Sequence, residues 1–456
     1  VLDWENWRSR IPEWKYPKIF DPTTIFLQTE DTCRTDFLLR LLSSQRLNIL
    51  VTGAAASGKS QHLRQFLNSL NSDKYLSSTV AFSQASAPGA ILENIFNVID
   101  KRQGRTYGPE PGKSCVIVVE DISLTPADQW GDQPNCELLR QLMNDGGYYD
   151  FQKPAEWASI MGVHYMCVMS HPMSTHKDIS MRLRGQMCAF NITVPADSTI
   201  RDSMTRVFDR HFSKHKAPEN VQRLAKMLPE ATIALCKSLK QALVSNESKI
   251  QYTFNLHDTM RVLTSLLQCN PWQFATGEQL MRLWRHECER GFSDKLVDFD
   301  HKIQVLESIQ HILKHKSFAD LNIEECLQDE SERYGHCSRE TENGDTVDDY
   351  SLLPDMDTLA EALEELKKKE NISYPLYDEA IEHILRIARV LGMNRGSVIL
   401  AGPLSSGRAQ ISRLAAALAQ STYFDLDDVV MRGGGSHMET IRKAYRVAGL
   451  EAKSVT

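Results

Sequence analysis

The chain has 456 residues, a formal net charge of −7, 42% hydrophobic and 24% charged residues, a length that allows roughly three compact units. Acids and bases are interspersed, so there is no basic field for nucleic acid or an anionic membrane, and no run approaches the ~20 apolar residues that cross a bilayer. Ten cysteines are scattered singly, which signals neither a zinc site nor a disulfide framework and fits a reduced, intracellular compartment.

Residues 1–24, rich in Trp and Pro, show no clean periodicity and are expected to form a connector. Phe26-Leu27 then precede a helical pattern through Leu38, Leu39 and Leu42; lying ahead of the next motif, they would cover an adenine ring or simply pack in the core. Leu47 to Thr52 predicts a strand, and it runs into Gly53-Ala-Ala-Ala-Ser57-Gly58-Lys59-Ser60, which fits the phosphate-binding pattern G-x-x-x-x-G-K-[ST] at every fixed position. Leu63, Phe66, Leu67 and Leu70 continue as one face of a helix. In that order of strand, loop and helix, the glycines let backbone N–H groups point at phosphate oxygens beside a helix N-terminus. Lys59 would reach the β and γ phosphates of ATP, or the β phosphate of ADP, and Ser60 would hold Mg²⁺.

Thr79 to Phe82 predicts a short strand, and Ile91, Ile95, Val98 and Ile99 a helix. After a Gly/Pro/Lys loop, Cys115 to Val119 reads as a strand buried on both faces, with Glu120-Asp121 at its end. Carboxylates there, about 60 residues past a phosphate loop, suit Mg²⁺ binding and water activation; the competing reading is a solvated acidic turn. A helix through Leu138, Leu139 and Leu142, a strand from His164 to Met169 ending at Ser170, and another from Met187 to Val194 complete an alternating pattern that predicts a parallel sheet between helices. From Asp197 the pattern is helical only, as for a lid. Within it His286-Glu287-Cys-Glu-Arg290 misses the zinc signature H-E-x-x-H, because Arg290 cannot ligate a metal. Residues 324–350 are acidic with few apolar anchors and are expected to form a mobile linker.

Val398 to Leu414 can be laid without a gap over Ile49 to Gln65, which makes the strand–loop–helix unit an internal repeat. In this copy Gly402 and Gly407 survive, but Arg408 replaces the phosphate lysine and Ala409 removes the hydroxyl for Mg²⁺. The loop would hold nucleotide weakly, without metal, or serve structure alone. Gly433-Gly-Gly435 reads as a loop. The lack of an initiator methionine and the end at Thr456, which looks like the approach to another strand, are expected of a fragment.

The chain resembles a dynein heavy chain, nearest the axonemal branch, over essentially its full length. The matches are Thr29-x-Asp31-Thr32-x-Arg34, the run from Glu137 to Asp150, Tyr252-Thr-Phe254-Asn255-Leu-His-Asp258, Leu283-Trp284-Arg285-His286-Glu287, and Tyr377-Asp378-Glu-Ala380 through Arg386. The resemblance implies an α/β AAA+ P-loop NTPase module, the third of the motor ring, with its helical lid and the start of the fourth. Residues 25–196 would be the large subdomain, 197–315 the lid, 316–370 an acidic linker and helix, and 371–456 the truncated next module.

It further implies a regulatory nucleotide site in a microtubule motor. The partners would be other modules of the same heavy chain, microtubules through parts outside this chain, and intermediate and light chains through a tail, in the cytoskeleton of a cilium or flagellum. Arg182 matches the arginine finger and would point into the preceding module's site; Arg285 and Arg290 are candidates for a second phosphate sensor in the lid. Three positions depart from the family pattern. Glu120-Asp121 replaces Asp followed by Glu or Asp, and Ser170 stands where a sensor asparagine is usual. Misplacing one positioned electrostatic group costs about 2.7–4 kcal/mol of barrier, so binding with slow hydrolysis is expected. The alternatives are a scaffold ring that does not hydrolyse, and a different AAA+ remodelling machine.

Overall fold

The computed structural model describes residues 4–456 except 19, 151–152, 154–155, 172–177, 316–317, 319–321, 323–325, 327–331, 341–345 and 427–436, with backbone only at 337–340 and 346–349. It contains two units, one made of residues 1–15 and 26–203, the other of 16–25 and 204–456.

The first unit runs α1 (Glu30–Ser44), β1 (Ile49–Gly53), α2 (Lys59–Ser69), β2 (Tyr75–Ala81), α3 (Pro88–Phe96), β3 (Asp100–Lys101), β4 (Thr106–Gly108), β5 (Ser114–Glu120), α4 (Pro134–Asn144), β6 (Gly147–Tyr149), β7 (Trp157–Ile160), β8 (Val163–Ser170), α5 (Met181–Arg184) and β9 (Cys188–Asn191). Five strands form a sheet in the order β2-β5-β8-β1-β9, every pairing parallel. Alternate residues of the central strands feed opposite cores. Ile49, Val51, Val116 and Val118 pack with Leu63 and Phe66 on one face; Leu50, Cys115, Ile117 and Val119 pack with Ile91, Ile95 and Leu139 on the other. Each fully buried aliphatic side chain contributes about 1.5–3 kcal/mol, which explains why β5 reads as an unbroken apolar run.

The pair Thr29 and Thr32 caps α1 reciprocally, each hydroxyl accepting from the other's backbone N–H, at 3.3 and 2.7 Å. Arg34 adds ion pairs to Glu30 and Asp31. The first family motif is thus a helix start. A second sheet, β3-β4-β7-β6, was not legible beforehand. Its strands are two to four residues long, too short for a period. Gly147 is required there, since a Cβ would lie 2.3 Å from the Ala158 carbonyl oxygen.

The second unit holds α6 (Asp197–Lys214), which begins in the first, then α7 (Glu219–Ala225), α8 (Leu228–Ala242), α9 (Leu256–Leu266), α10 (Gly277–Cys288) with a π-helical turn Glu289–Ser293, and α11 (Phe299–Leu313). A hairpin β10 (Tyr334–Glu340) and β11 (Thr346–Leu352) follows, then α12 (Met356–Lys369), α13 (Asp378–Leu391), α14 (Arg408–Leu418) and α15 (His437–Leu450). Asn255 and Asp258 form a capping box on α9, and buried Trp284 donates its indole N–H to Thr232 at 2.9 Å. Two more family motifs therefore hold the lid together. The strap Tyr16–Ile25 belongs to this unit: Tyr16 stacks on Phe20 and Phe20 on His211, at 4.7 and 4.8 Å between ring centres.

Two expectations are corrected. The acidic stretch expected as a mobile linker contains an antiparallel hairpin, anchored by buried Tyr334 and Tyr350 rather than by a periodic apolar face. Val398 to Ala401 forms no strand, for no neighbouring ladder among the described residues takes its N–H and C=O groups. Gly433–Gly435 lies outside the described residues.

Candidate functional site

The register of the main sheet assembles the site. Gly53 at the end of β1 pairs with Ser170 at the end of β8, and β5, on the far side of β8, ends in Glu120. The loop after β1 turns through two left-handed positions, Ala56 (φ 60°) and Gly58 (φ 87°), before α2 begins at Lys59. Gly53 has no room for a side chain, because a Cβ would meet the Ile192 carbonyl oxygen at 2.4 Å.

Lys59 is only 8% exposed and donates to the carbonyls of Gly53 and Ala54 at 2.9 and 2.7 Å. Burial pulls its ammonium below the ordinary value, and the nearby Asp121 carboxylate opposes that shift. Among the described residues, Ser57 Oγ in the loop and Glu120 Oε1 at the strand end are buried without a hydrogen-bond partner, as is Nδ1 of His62 on α2. An orphaned hydroxyl in the loop and an orphaned carboxylate oxygen at the neighbouring strand end fit a phosphate with its divalent metal. Asp121 adopts a left-handed backbone (φ 55°) as the chain leaves β5.

Two residues that the motif reading passed over belong to this site. Arg64, one helical turn beyond Ser60 on α2, places Nη2 3.7 Å from Glu120 Oε1, an ion pair beyond hydrogen-bonding range. The i+4 spacing from the motif serine was the available signal. His62 meets Phe26 edge to face at 5.8 Å, beside a small cavity also lined by Gln28, Thr32 and Phe66, and burial lowers its pKa.

The other candidates are carried by other elements. Arg182 on α5 is 70% exposed, with Glu137 3.7 Å away. Arg285 and Arg290 lie in the second unit, Arg285 paired with Glu289 at 2.9 Å and Arg290 with Asp294 at 3.2 Å. In the second loop Ser405 (φ 64°) and Gly407 (φ 77°) reproduce the turn of Ala56 and Gly58, and Ser406 Oγ is orphaned as Ser57 Oγ is. The copy keeps the shape of the cradle without its lysine or hydroxyl.

A parallel sheet in this order, with a phosphate loop on β1, carboxylates ending β5 and a helical unit following, defines an AAA+ P-loop nucleotide-binding module with its lid and the start of another. The P-loop containing dynein motor region matches residues 14–195, the dynein heavy chain ATPase lid domain 207–302, and the P-loop containing dynein motor region D4 372–456. The chain belongs to the dynein heavy chain family.

It is 28% identical over 489 residues to dynein axonemal heavy chain 5 of Rattus norvegicus, covering 99% of this chain and 14% of that one. It is 28% identical over 488 residues to the dynein gamma chain of the flagellar outer arm of Chlamydomonas reinhardtii, covering 99% and 11%. With dynein axonemal heavy chain 2 of Homo sapiens it shares 29% over 469 residues, covering 100% and 10%. The chain thus spans about a tenth of these relatives' length. Among solved structures, NtrX from Brucella abortus in complex with ADP aligns at a TM-score of 0.35 and 11% identity over 67% of this chain and 66% of that one.

Proposed function

We propose that the 53–60 loop is a regulatory nucleotide site, the third of a dynein motor ring, that binds ATP or ADP and hydrolyses slowly. The observation that carries the reading is the buried cradle itself: a left-handed loop with an orphaned Ser57 hydroxyl and a lysine folded onto its own carbonyls. On binding, Lys59 leaves the Gly53 and Ala54 carbonyls for the β and γ phosphates, and the loop N–H groups and the start of α2 take the remaining phosphate charge. Ser60 and Glu120 would hold Mg²⁺, which supplies charge neutralisation across the phosphates.

Asp121 is the carboxylate for the attacking water, and Ser170 the polar group beside it. Three features slow the chemistry. The Arg64 charge competes for Glu120, Asp121 is one methylene shorter than glutamate, and Ser170 reaches less far than asparagine. Arg182, exposed on α5, would serve a neighbouring module, so the finger for this site would come from the fourth module. The parent chain would act on microtubules in an axoneme, with intermediate and light chains bound elsewhere.

A second reading, a scaffold ring without turnover, is favoured by one observation: two of the three Lys59 donors are already taken by the loop's own carbonyls, a contact that nucleotide binding has to break. Calorimetric titration with Mg-ADP and Mg-ATP, paired with single-turnover hydrolysis, decides between them. Binding that Lys59→Ala weakens at least tenfold, with turnover far slower than exchange, is expected. No binding at millimolar nucleotide, or none lost in Lys59→Ala, rejects the proposal in favour of the scaffold.

A further inference from the structure

The second unit encloses a cavity of about 240 Å³ where the end of α10 and its π-helical turn face α13, with the first residues of the hairpin on the third side. Arginine dominates its walls, with Arg285 and Arg290 from the lid, Arg333 from the hairpin, and Arg386 and Arg389 from α13. Three of the carboxylates around it are shared between guanidiniums, while Glu287 pairs with Arg389 and the lining Glu332 with Arg282. Glu289 serves Arg285 at 2.9 Å and Arg290 at 3.6 Å, and Glu382 serves Arg333 and Arg386, each at 2.8 Å. Asp294 lies 3.2 Å from Arg290 and 3.8 Å from Arg386. The Nε atoms of both Arg290 and Arg386 are buried with no hydrogen-bond partner among the described residues. Burial, and then the Arg290 charge, lower the pKa of Arg386, the mark of two crowded cations. Burial also lowers the His286 pKa, so the imidazole adds no charge at neutral pH.

Planar guanidiniums with free donors match the tetrahedral oxygens of phosphate. The space is below the ~300–1,000 Å³ of sites that enclose drug-sized ligands, which suits a compact anion and not a base with its sugar. We propose that this cavity binds a phosphate-type oxyanion between Arg290 and Arg386, as free phosphate or diphosphate or as the end of a nucleotide's phosphate chain. The site shares no residue with the 53–60 loop, and the proposal does not depend on that loop binding nucleotide.

The test uses Lys59→Ala protein, in which the loop lysine is gone, titrated with sodium pyrophosphate by calorimetry at constant ionic strength. One site per chain and a raised thermal midpoint are expected, with Arg290→Gln and Arg386→Gln each weakening binding at least tenfold. ATP in a parallel titration separates the sources. Pyrophosphate bound without ATP marks a free oxyanion, and equal binding marks the end of a nucleotide tail. Leu306→Trp fills the cavity without removing a charge and abolishes binding even if an arginine variant fails to fold. Absence of pyrophosphate binding, or binding unaltered in Leu306→Trp and in the folded arginine variants, overturns the proposal.

Discussion

Arg389 of α13 donates to both carboxylate oxygens of Glu287 on α10, and the Tyr350 hydroxyl from β11 donates to the same carboxylate, all three side chains being buried. Burial alone would raise the Glu287 pKa, but the Arg389 charge and the His286 hydrogen bond hold it well below the usual carboxylate range. One ionised cluster thus joins a lid helix, the hairpin and the first helix of the next module. Removing one partner strands a buried charge, so Glu287→Leu or Arg389→Leu is expected to cost about 3–5 kcal/mol in urea unfolding. The double variant should recover most of that loss, because two apolar side chains of similar bulk leave no unpaired ion. A double variant as unstable as the sum of the singles would show that the pair acts through something else.

Stability should fall on mild acidification through two buried histidines. Burial lowers His164 and His211 to about 4, with the charges of Arg46 and of His215 and Lys214 acting in the same direction. Tyr16 and the Cys269 carbonyl satisfy His211: the carbonyl can only accept, so Nε2 carries the proton and Nδ1 accepts from the Tyr16 hydroxyl at 2.9 Å. Unfolded histidine titrates near 6.5, so the unfolded chain binds the extra protons first. The stabilisation is complete above about pH 6.5 and is lost progressively toward pH 4, a few kcal/mol in all. The urea midpoint measured at pH 7.5 and pH 5 should drop accordingly, and His211→Asn should flatten the slope. Glu287 adds its own loss only below its unfolded value near 4.3.

Two glycines of the phosphate loop should differ in what alanine does to them. At Gly58 the φ of 87° is the whole difficulty, since nothing lies within 4 Å of an added Cβ, so Gly58→Ala costs about 1–2 kcal/mol. At Gly53 the Cβ would run into the Ile192 backbone. Gly53→Ala should destabilise more, in thermal unfolding, and abolish nucleotide binding by displacing the loop from β9.

The second loop offers a gain-of-function experiment. Its two left-handed positions, Ser405 and Gly407, match Ala56 and Gly58, and besides a strand leading into it the loop lacks the lysine and hydroxyl now replaced by Arg408 and Ala409. The combined variant Arg408→Lys with Ala409→Ser should raise the stoichiometry of Mg-ADP binding from one to two per chain. Tyr374, whose ring would lie 2.2 Å from a Cβ at Gly407, is the residue to trim if the second site stays closed.

How much of this was legible beforehand followed from the length of each signal. The five parallel strands stood out because β5 and β8 are buried on both faces and spell continuous apolar runs. Strands of two to four residues, such as Thr106–Gly108, carry no period. The hairpin hid for a different reason: its hold on the unit is a pair of tyrosines, Tyr334 and Tyr350, set among acids that read as linker. At the site, the sequence named the loop, Glu120, Asp121 and Ser170, and strand order brought them side by side. It did not reveal that Lys59 rests on its own loop or that Arg64 faces Glu120, because both depend on side-chain placement. The family motifs in the lid hold a helix cap and buried anchors, Asn255, Trp284 and Glu287.

The strap from Tyr16 to Ile25 makes both units discontinuous in sequence, for the chain enters the second unit, returns to the first and leaves it again. No single breakpoint separates them. A recombination event that exchanged one nucleotide module for another would have to keep ten upstream residues together with a helix nearly two hundred positions later, or leave His211 without the rings that cover it. Inheritance of such modules therefore favours duplication of a whole stretch, strap included, over shuffling of the compact pieces.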